Sequence, residues 1–255
     1  MQLDQVKAVI SGGASGLGLA SARYLIAAGA RVTLLDVQEQ AGNAAAATLG
    51  NAARYRDCDV TSEPAVESAV GAAAEWMGGL NLALSCAGVA TPGKLLGRDG
   101  PLPSAIFQRV LAINTVGTFN VDRAAAALMQ NNAPDADGER GLLVHTASVA
   151  AFEGQVGQVA YATSKAAVIG MVLPLARELA RFGIRVVAIA PGLFQTPMMA
   201  GLPQEAQDSL GRQVPYPPRL GRPEEYAALV AAICSNHMLN GTTIRLDGAI
   251  RMAPR

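Results

Sequence analysis

Tyr161 and Lys165 stand four residues apart in the stretch AYATSKAAVIG, residues 160–170. On a helix that spacing places both side chains on one face, one turn apart. Such a pair can exchange a proton: a free phenol titrates near pH ~10 and is a poor base at neutral pH, and an adjacent ammonium favours the phenolate. The pairing is also unusual for this chain, whose 20 basic residues include only Lys7, Lys94 and Lys165 as lysines. With 5 tyrosines in 255 residues, chance supplies a Tyr–Lys pair at this spacing about 0.06 times. Two more polar residues could join it. Ser148 lies in HTASVA, 13 residues before Tyr161, and Asn114 lies in LAINTVGTFN. An asparagine inside a helix disfavours the helix and needs a reason, either a buried amide satisfying backbone groups or a part in a site.

Composition removes competing chemistries. His145 and His237 are the only histidines and lie far apart, so no zinc-ligand spacing is present and no metal is expected. A Ser–His hydrolase would need one of them as base. In GLLVHTAS, strand alternation turns His145 to the face opposite Ser148, which makes it a packed core or interface histidine. His237 reads as a loop residue. Net charge is zero with no basic block, against nucleic acid or an anionic membrane surface as partner. No apolar run reaches the roughly 18 residues of a membrane span. The first apolar segment starts almost at once in MQLDQVKAVIS, leaving no room for a signal peptide. Cys58, Cys86 and Cys234, with no C-x-x-C pair, point to reduced thiols and a cytoplasmic setting.

The elements that must position these groups alternate from end to end. VKAVIS precedes the helix-type GLGLASARYLIAAG, RVTLLD precedes QEQAGNAAAATLG, and ARYRDCDV precedes EPAVESAVGAAAEWM. NLALSCAG is followed by a Pro/Gly-rich loop and a long helix from about Ser104 to Asn131; GLLVHTAS is followed by the helix carrying Tyr161, in which Pro174 should introduce a kink. IRVVAIAPG, a long loop, PEEYAALVAAICS and TTIRLDG close the chain. Apolar strands alternating with helices imply a Rossmann-type, doubly wound parallel sheet with helices on both faces. The length and the lack of a linker fit one domain over residues 1–255. In such sheets ligands sit beyond the carboxyl ends of the strands, where strand order reverses.

Residues with chemistry gather there. SGGASGLG, Ser11 to Gly18, joins the first strand to the first helix. Gly12 allows the tight turn, and Gly16 and Gly18 let backbone and helix approach a pyrophosphate at a helix N-terminus. Asp36 ends the second strand, 18 residues beyond Gly18, with no basic residue immediately after it. A carboxylate there binds ribose hydroxyls and repels a 2′-phosphate, which selects NAD. Asp59 and Val60 close the third strand in DCDVTS, beside an adenine ring or, for Asp59, in a turn or capping role.

Asn114, Ser148, Tyr161 and Lys165, with the glycine loop and Asp36, resemble the short-chain dehydrogenase/reductase family over essentially the whole chain. SGGASGLGLA, GTFNV, TASVAAFEGQVGQ, APGLFQTPM and IRLDGAIRM are similar to the type-2 3-hydroxyacyl-CoA dehydrogenases within it. The resemblance implies an NAD-dependent homotetramer that oxidises 3-hydroxyacyl-CoA thioesters. It implies Tyr161 as acid/base, Lys165 as its partner, Ser148 as substrate binder and Asn114 as water holder. It places Gly12, Ser15, Gly16, Leu17, Gly18, Asp36, Asp59, Val60, Cys86, Gly88, Tyr161, Lys165, Phe194 and Thr196 around the cofactor. Two residues depart from the family pattern. Ser11 replaces a usual threonine and keeps its hydroxyl, and Ser85 replaces a usual asparagine, which puts one sheet-stabilising contact in doubt.

The segment from Pro191 to Arg222 carries Leu193, Phe194, Met198, Met199, Leu202, Leu210, Val214 and Tyr216. It is too apolar to lie open, and forms either a lid over an acyl chain or a subunit interface. The loop between Val89 and Pro103 bears Lys94 and Arg98, placed either to meet CoA phosphates or as a solvated surface. Three readings therefore stand: a 3-hydroxyacyl-CoA dehydrogenase, an NAD-dependent hydroxysteroid or secondary-alcohol dehydrogenase, and a non-catalytic NAD-binding scaffold. The intact Asn/Ser/Tyr/Lys set opposes the last, because binding alone needs no proton relay.

Overall fold

A computed structural model describes residues 1–98, 100–201 and 203–254, without the side chains of Met198 and Ala200. Its strands are β1 (Lys7–Ser11), β2 (Arg31–Asp36), β3 (Ala53–Asp57), β4 (Leu82–Ser85), β5 (Leu96–Gly97), β6 (Gly100–Pro101), β7 (Gly141–Thr146), β8 (Ile184–Pro191) and β9 (Thr242–Leu246). Its α-helices are α1 (Gly16–Ala27), α2 (Glu39–Leu49), α3 (Glu63–Met77), α4 (Ser104–Leu111), α5 (Gly117–Met129), α6 (Val159–Leu179), α7 (Pro197–Ala200), α8 (Gln204–Arg212) and α9 (Pro223–Ser235). Seven strands form one parallel sheet in the order β3-β2-β1-β4-β7-β8-β9, while β5 and β6 pair as a small separate hairpin.

The strand sequences explain the layers. Both faces of the central strands are covered, so their residues are apolar in unbroken runs rather than in alternation. Val9, Leu143 and Val186 point to a core built with α3, α5 and α6. Their neighbours Ile10, Val144 and Val187 point to the other, built with α1, α2 and α9. From β1 the chain runs outward to β2 and β3, then returns to lay β4 on the other side of β1. Strand order reverses between β1 and β4, which opens a crevice at their carboxyl ends.

Several sequence expectations need correction. The long helix over Ser104–Met129 is interrupted by a π-helical turn at Ala112–Val116, which contains Asn114. β3 stops at Asp57, so Asp59 and Val60 lie in the turn beyond it rather than closing the strand. One segment does reach spanning length: Val159–Phe182 is long and apolar enough to cross a membrane by length and composition. It turns Ser164, Lys165, Val168, Val172 and Ala176 inward, and the last three join the core beneath the sheet. Pro174 lies inside α6 without ending it.

The two histidines also differ from each other. His145 is fully buried, and its Nε2 lies 3.0 Å from Asp122 Oδ1 on α5. His237 lies in the turn after α9, as a loop residue, but with acidic partners. It meets Asp135, Asp137 and Glu139 at 3.4, 2.7 and 2.8 Å. Ligand-type atoms of Asp135, Glu139 and His237 thus lie within 4.8 Å of one another, a grouping that no sequence spacing announced. Buried Arg185 completes it, pairing with Glu139 at 2.8 Å and donating to the carbonyls of Ile233 in the last turn of α9 and of Asn236 and Leu239 beyond it.

Candidate active site

The glycine loop follows β1 and leads into α1 as its spacing requires. Gly12 has φ +65°, and a Cβ there would stand 2.7 Å from the backbone nitrogen of Ala87 beyond β4. A Cβ on Gly18 would meet the Gly12 carbonyl at 2.4 Å. Only glycine therefore lets the first turn of α1 lie this close to the ends of β1 and β4. Ser15 precedes α1 in an extended conformation and makes no side-chain cap, which leaves the first amides of the helix without a side-chain partner from it.

Asp36 reaches across from the end of β2. Its Oδ2 accepts from Ala14 N at 3.0 Å and its Oδ1 from Gln38 N at 3.1 Å. Each oxygen keeps a further lone pair, so the carboxylate both ties the loop to β2 and can accept from a ribose. Asp59 is held in a turn by Thr61, whose amide and hydroxyl donate to Oδ1 at 2.9 and 2.8 Å. The Val60 carbonyl accepts from Asn120 Nδ2 at 2.9 Å. These residues fit a dinucleotide with a free 2′-hydroxyl: glycine-lined backbone, helix N-terminus, and a carboxylate without a basic neighbour.

Ser148 lies just beyond β7 and starts a 3₁₀ turn, its Oγ accepting from Ala150 N at 3.1 Å. Tyr161 and Lys165 occupy one face of α6. Burial raises the Tyr161 phenol above its ordinary value, and a hydrogen bond with Ser148 opposes that rise. Burial pushes the Lys165 ammonium down to about 8. Lys165 Nζ lies 5.9 Å from the Tyr161 ring centre and donates to the Thr146 carbonyl at 2.7 Å. The lysine is thus anchored to the strand end, with its charge one turn from the phenol. In the chain alone burial outweighs that charge, so the phenol stands above its ordinary value rather than below it as the spacing suggests.

Asn114 is fully buried. It accepts from Val89 N at 2.8 Å and donates to the Val89 carbonyl and Ser164 Oγ at 3.0 and 2.9 Å. Both amide hydrogens are committed, so the side chain clamps the chain after Gly88 and links it to α6. A Cβ on Gly88 would crowd Asn114 Oδ1 at 3.2 Å and face Lys165 Nζ at 3.5 Å. Ser164 closes the link by donating to the Tyr161 carbonyl at 2.7 Å. Nothing in the spacing of the sequence marks Ser164, and Thr146 and Tyr226 beside Cys86 were missed for the same reason. The Cys86 thiol accepts from Thr146 Oγ1 at 3.2 Å, and burial raises its pKa. The two departures from the family pattern behave differently. Ser11 Oγ accepts from Ala87 N at 3.4 Å, whereas buried Ser85 Oγ has no partner.

The segment 191–222 is partly helical rather than a plain loop, since it contains α7 and α8. Leu202 lies outside the described residues, as does the Met198 side chain. Two of its apolar residues are anchors. Phe194 is buried with the α9-side core and packs on Gly221, and Val214 packs on Gly248. Tyr216 is 80% exposed. Thr196 precedes α7 opposite Gly16, where a Cβ would meet Pro197 at 3.4 Å. Leu17 packs against the α9-side core.

A reversed-order parallel sheet, a glycine loop at its crevice, and a phenol, hydroxyl and ammonium converging beyond β7 define a dinucleotide-binding oxidoreductase. A family model described as enoyl-(acyl carrier protein) reductase matches residues 12–250. The human 3-hydroxyacyl-CoA dehydrogenase type-2 is 52% identical over 251 residues, 97% of this chain and 95% of that one. The crystal structure of 3-hydroxyacyl-CoA dehydrogenase type-2 from Mycobacterium avium superposes with a TM-score of 0.95 at 41% identity, covering 100% of this chain and 99% of that one. A 3-ketoacyl-(acyl-carrier-protein) reductase from Brucella melitensis, complexed with NADH, gives 0.87 at 25% identity over 98% of this chain and 100% of that one. The chain belongs to the short-chain dehydrogenase/reductase family.

Proposed function

We propose that this chain is an NAD-dependent 3-hydroxyacyl-CoA dehydrogenase that interconverts 3-hydroxyacyl-CoA and 3-oxoacyl-CoA in fatty-acid or branched-chain acyl-CoA breakdown. The observation that carries this reading is the half-buried Tyr161, its phenol hydrogen-bonded to Ser148 and one helical turn from Lys165. In the oxidising direction Tyr161 takes the proton of the substrate hydroxyl, and Ser148 donates to the same oxygen as charge develops. Lys165 holds a positive charge nearby, which favours phenolate, and its ammonium has hydrogens to spare for a ribose. Asn114 keeps Gly88, Val89 and α6 in register, and any water it holds falls to its main chain. NAD, when bound, supplies the hydride acceptor and a cationic ring. Gly12, Ser15, Gly16, Leu17 and Gly18 would cradle its pyrophosphate, Asp36 would hold its adenosine ribose, and Asp59 and Val60 would meet its adenine. Cys86, Gly88, Phe194 and Thr196 would line the remainder.

An apolar groove of about 460 Å³ supports an acyl thioester as substrate. It is lined by Lys94, Leu95, Leu96, Val156, Val159 and Ala162, next to Tyr161 on α6. Lys94 precedes the β5–β6 hairpin and Arg98 lies in its turn. A homotetramer is part of this proposal, supported by Val116, Phe119, Leu128 and Leu173, which are exposed apolar residues on the helices of one face. So is a cytoplasmic setting, supported by three unpaired cysteines. Absorbance at 340 nm with 3-hydroxybutyryl-CoA, a hydroxysteroid and a simple secondary alcohol tests the reading. The thioester should give the highest kcat/KM with NAD. A hydroxysteroid outperforming it would select the alcohol dehydrogenase reading, and NAD binding without turnover of any of them would select a scaffold.

A further inference from the structure

Behind the Lys165 anchor lies a second polar cluster that the proton transfer does not use. Cys86 directly follows β4 and Thr146 ends β7; the β4–β7 register pairs Ser85 with His145, so Cys86 and Thr146 are the next rung. Tyr226, in the first turn of α9, is fully buried, and its hydroxyl approaches this rung from the other face. Thr146 Oγ1 donates to Cys86 Sγ at 3.2 Å and lies 2.8 Å from Tyr226 Oη. A hydroxyl has one hydrogen, and that of Thr146 goes to sulfur, so Tyr226 is the donor in the second bond. Cys86 Sγ lies 3.9 Å from Tyr226 Oη and closes the ring. Thr146 therefore faces two ways: its side chain is held by Tyr226 and Cys86, and its carbonyl accepts from Lys165 Nζ.

We propose that Tyr226 is a positioning residue for Lys165: by pinning the Thr146 side chain at the end of β7, it fixes the carbonyl that holds the lysine ammonium in place. A phenol at a fully buried core position must find a partner for its hydroxyl. Phenylalanine would fill the same volume without that demand. Threonine carries restricted χ1 freedom, so a hydrogen bond at Oγ1 constrains the strand end directly. The carbonyl in turn favours the charged form of the lysine, because it accepts from the ammonium. The ionisable side chains that bear on Lys165 among the described residues are Tyr161 on its own helix and Cys86 at the end of β4; no carboxylate contributes.

The test reads Lys165 directly. The chain has only three lysines, Lys7, Lys94 and Lys165, so lysine labelled with ¹³C at Cε gives an assignable NMR titration of the whole protein without substrate. In the wild type the Lys165 signal should titrate near 8. In Tyr226→Phe it should move down by about 0.5 pH unit or more, a threefold loss of proton affinity. Thr146→Val, which removes the hydroxyl but keeps the carbonyl and the branched shape, should give the same shift, and Thr146→Ser should restore the wild-type position. The alkaline limb of kcat/KM for the NAD-linked reaction should move with the titration. If Tyr226→Phe does not fold, Thr146→Val alone decides. A Lys165 titration that stays in place, or rises, in the folded variants would overturn the proposal and leave Tyr226 a packing residue.

Discussion

Replacing Asp36 by alanine separates cofactor choice from loop structure. The carboxylate accepts one backbone hydrogen bond at each oxygen, from Ala14 and from Gln38, and keeps capacity for the ribose hydroxyls. A hydrogen bond to a charged group contributes roughly 1.5–3 kcal/mol. Its loss should lower kcat/KM with NAD by about 10- to 150-fold, at about 1.4 kcal/mol per tenfold. With NADP the effect should run the other way, since alanine removes a like charge beside the 2′-phosphate. The preference for NAD should therefore fall by about two orders of magnitude or more. Ala14 N and Gln38 N also lose their partners, so the melting temperature should drop by a few degrees, about 2–4 °C per kcal/mol for a chain this long. Asp36→Asn, which keeps an acceptor without the charge, should retain more of the stability while still losing the cofactor preference. Initial rates with both cofactors and thermal melts of the three proteins check this. An unchanged NAD-to-NADP ratio in a folded Asp36→Ala variant would refute the reasoning.

Two further outcomes are expected. If Lys94 and Arg98 meet the nucleotide end of CoA, 3-hydroxybutyryl-CoA should exceed the same acid on a pantetheine stub by roughly 30-fold in kcat/KM, at about 1 kcal/mol per exposed phosphate contact. Lys94→Ala with Arg98→Ala should remove most of that difference and spare the stub; equal rates on both thioesters in the wild type would argue against the assignment. Lys165→Met should stabilise the inactive protein at neutral pH. The folded-state value of about 8 lies below the ordinary 10.5, so the unfolded chain holds more protons between those values and stability rises with pH across that window. Below about pH 8 the buried ammonium costs its full amount, up to roughly 3 kcal/mol. The gain on removing it should be largest there and vanish towards pH ~10, as read from urea melts at both ends. A variant less stable than wild type at pH 7 would contradict this.

The fold was legible because its strands are buried on both faces and so appear as apolar runs between helix-type segments. The candidate site was legible where chemistry follows local spacing: the glycine loop into α1, Asp36 at the end of β2, and Tyr161 and Lys165 one turn apart. What escaped depends on partners far along the chain. The Asn114 clamp on Val89 requires a π-helical turn and a contact 25 residues away. The Tyr226–Thr146 bond spans 80 residues and exists only because α9 packs across the sheet from α6. His237 meets Glu139 through the neighbouring ends of β7 and α9. Apolarity in 191–222 implies a demand for burial, which Phe194 and Val214 meet and Tyr216, 80% exposed, does not. For Phe194 and Val214, however, the burying surface is the protein's own core.

Proton transfer by Tyr161 is the central step, and Tyr161→Phe isolates it, since the substitution deletes the hydroxyl and little volume. NADH binding, followed by fluorescence titration, should remain within a few-fold of wild type, because Lys165, Asp36 and the glycine loop are untouched. Turnover of 3-hydroxybutyryl-CoA should fall by about 10²- to 10⁴-fold, the usual contribution of a positioned acid/base. A variant that binds NADH and still keeps more than about a tenth of wild-type kcat, with a deuterium isotope effect showing that hydride transfer limits the rate, would contradict the central claim.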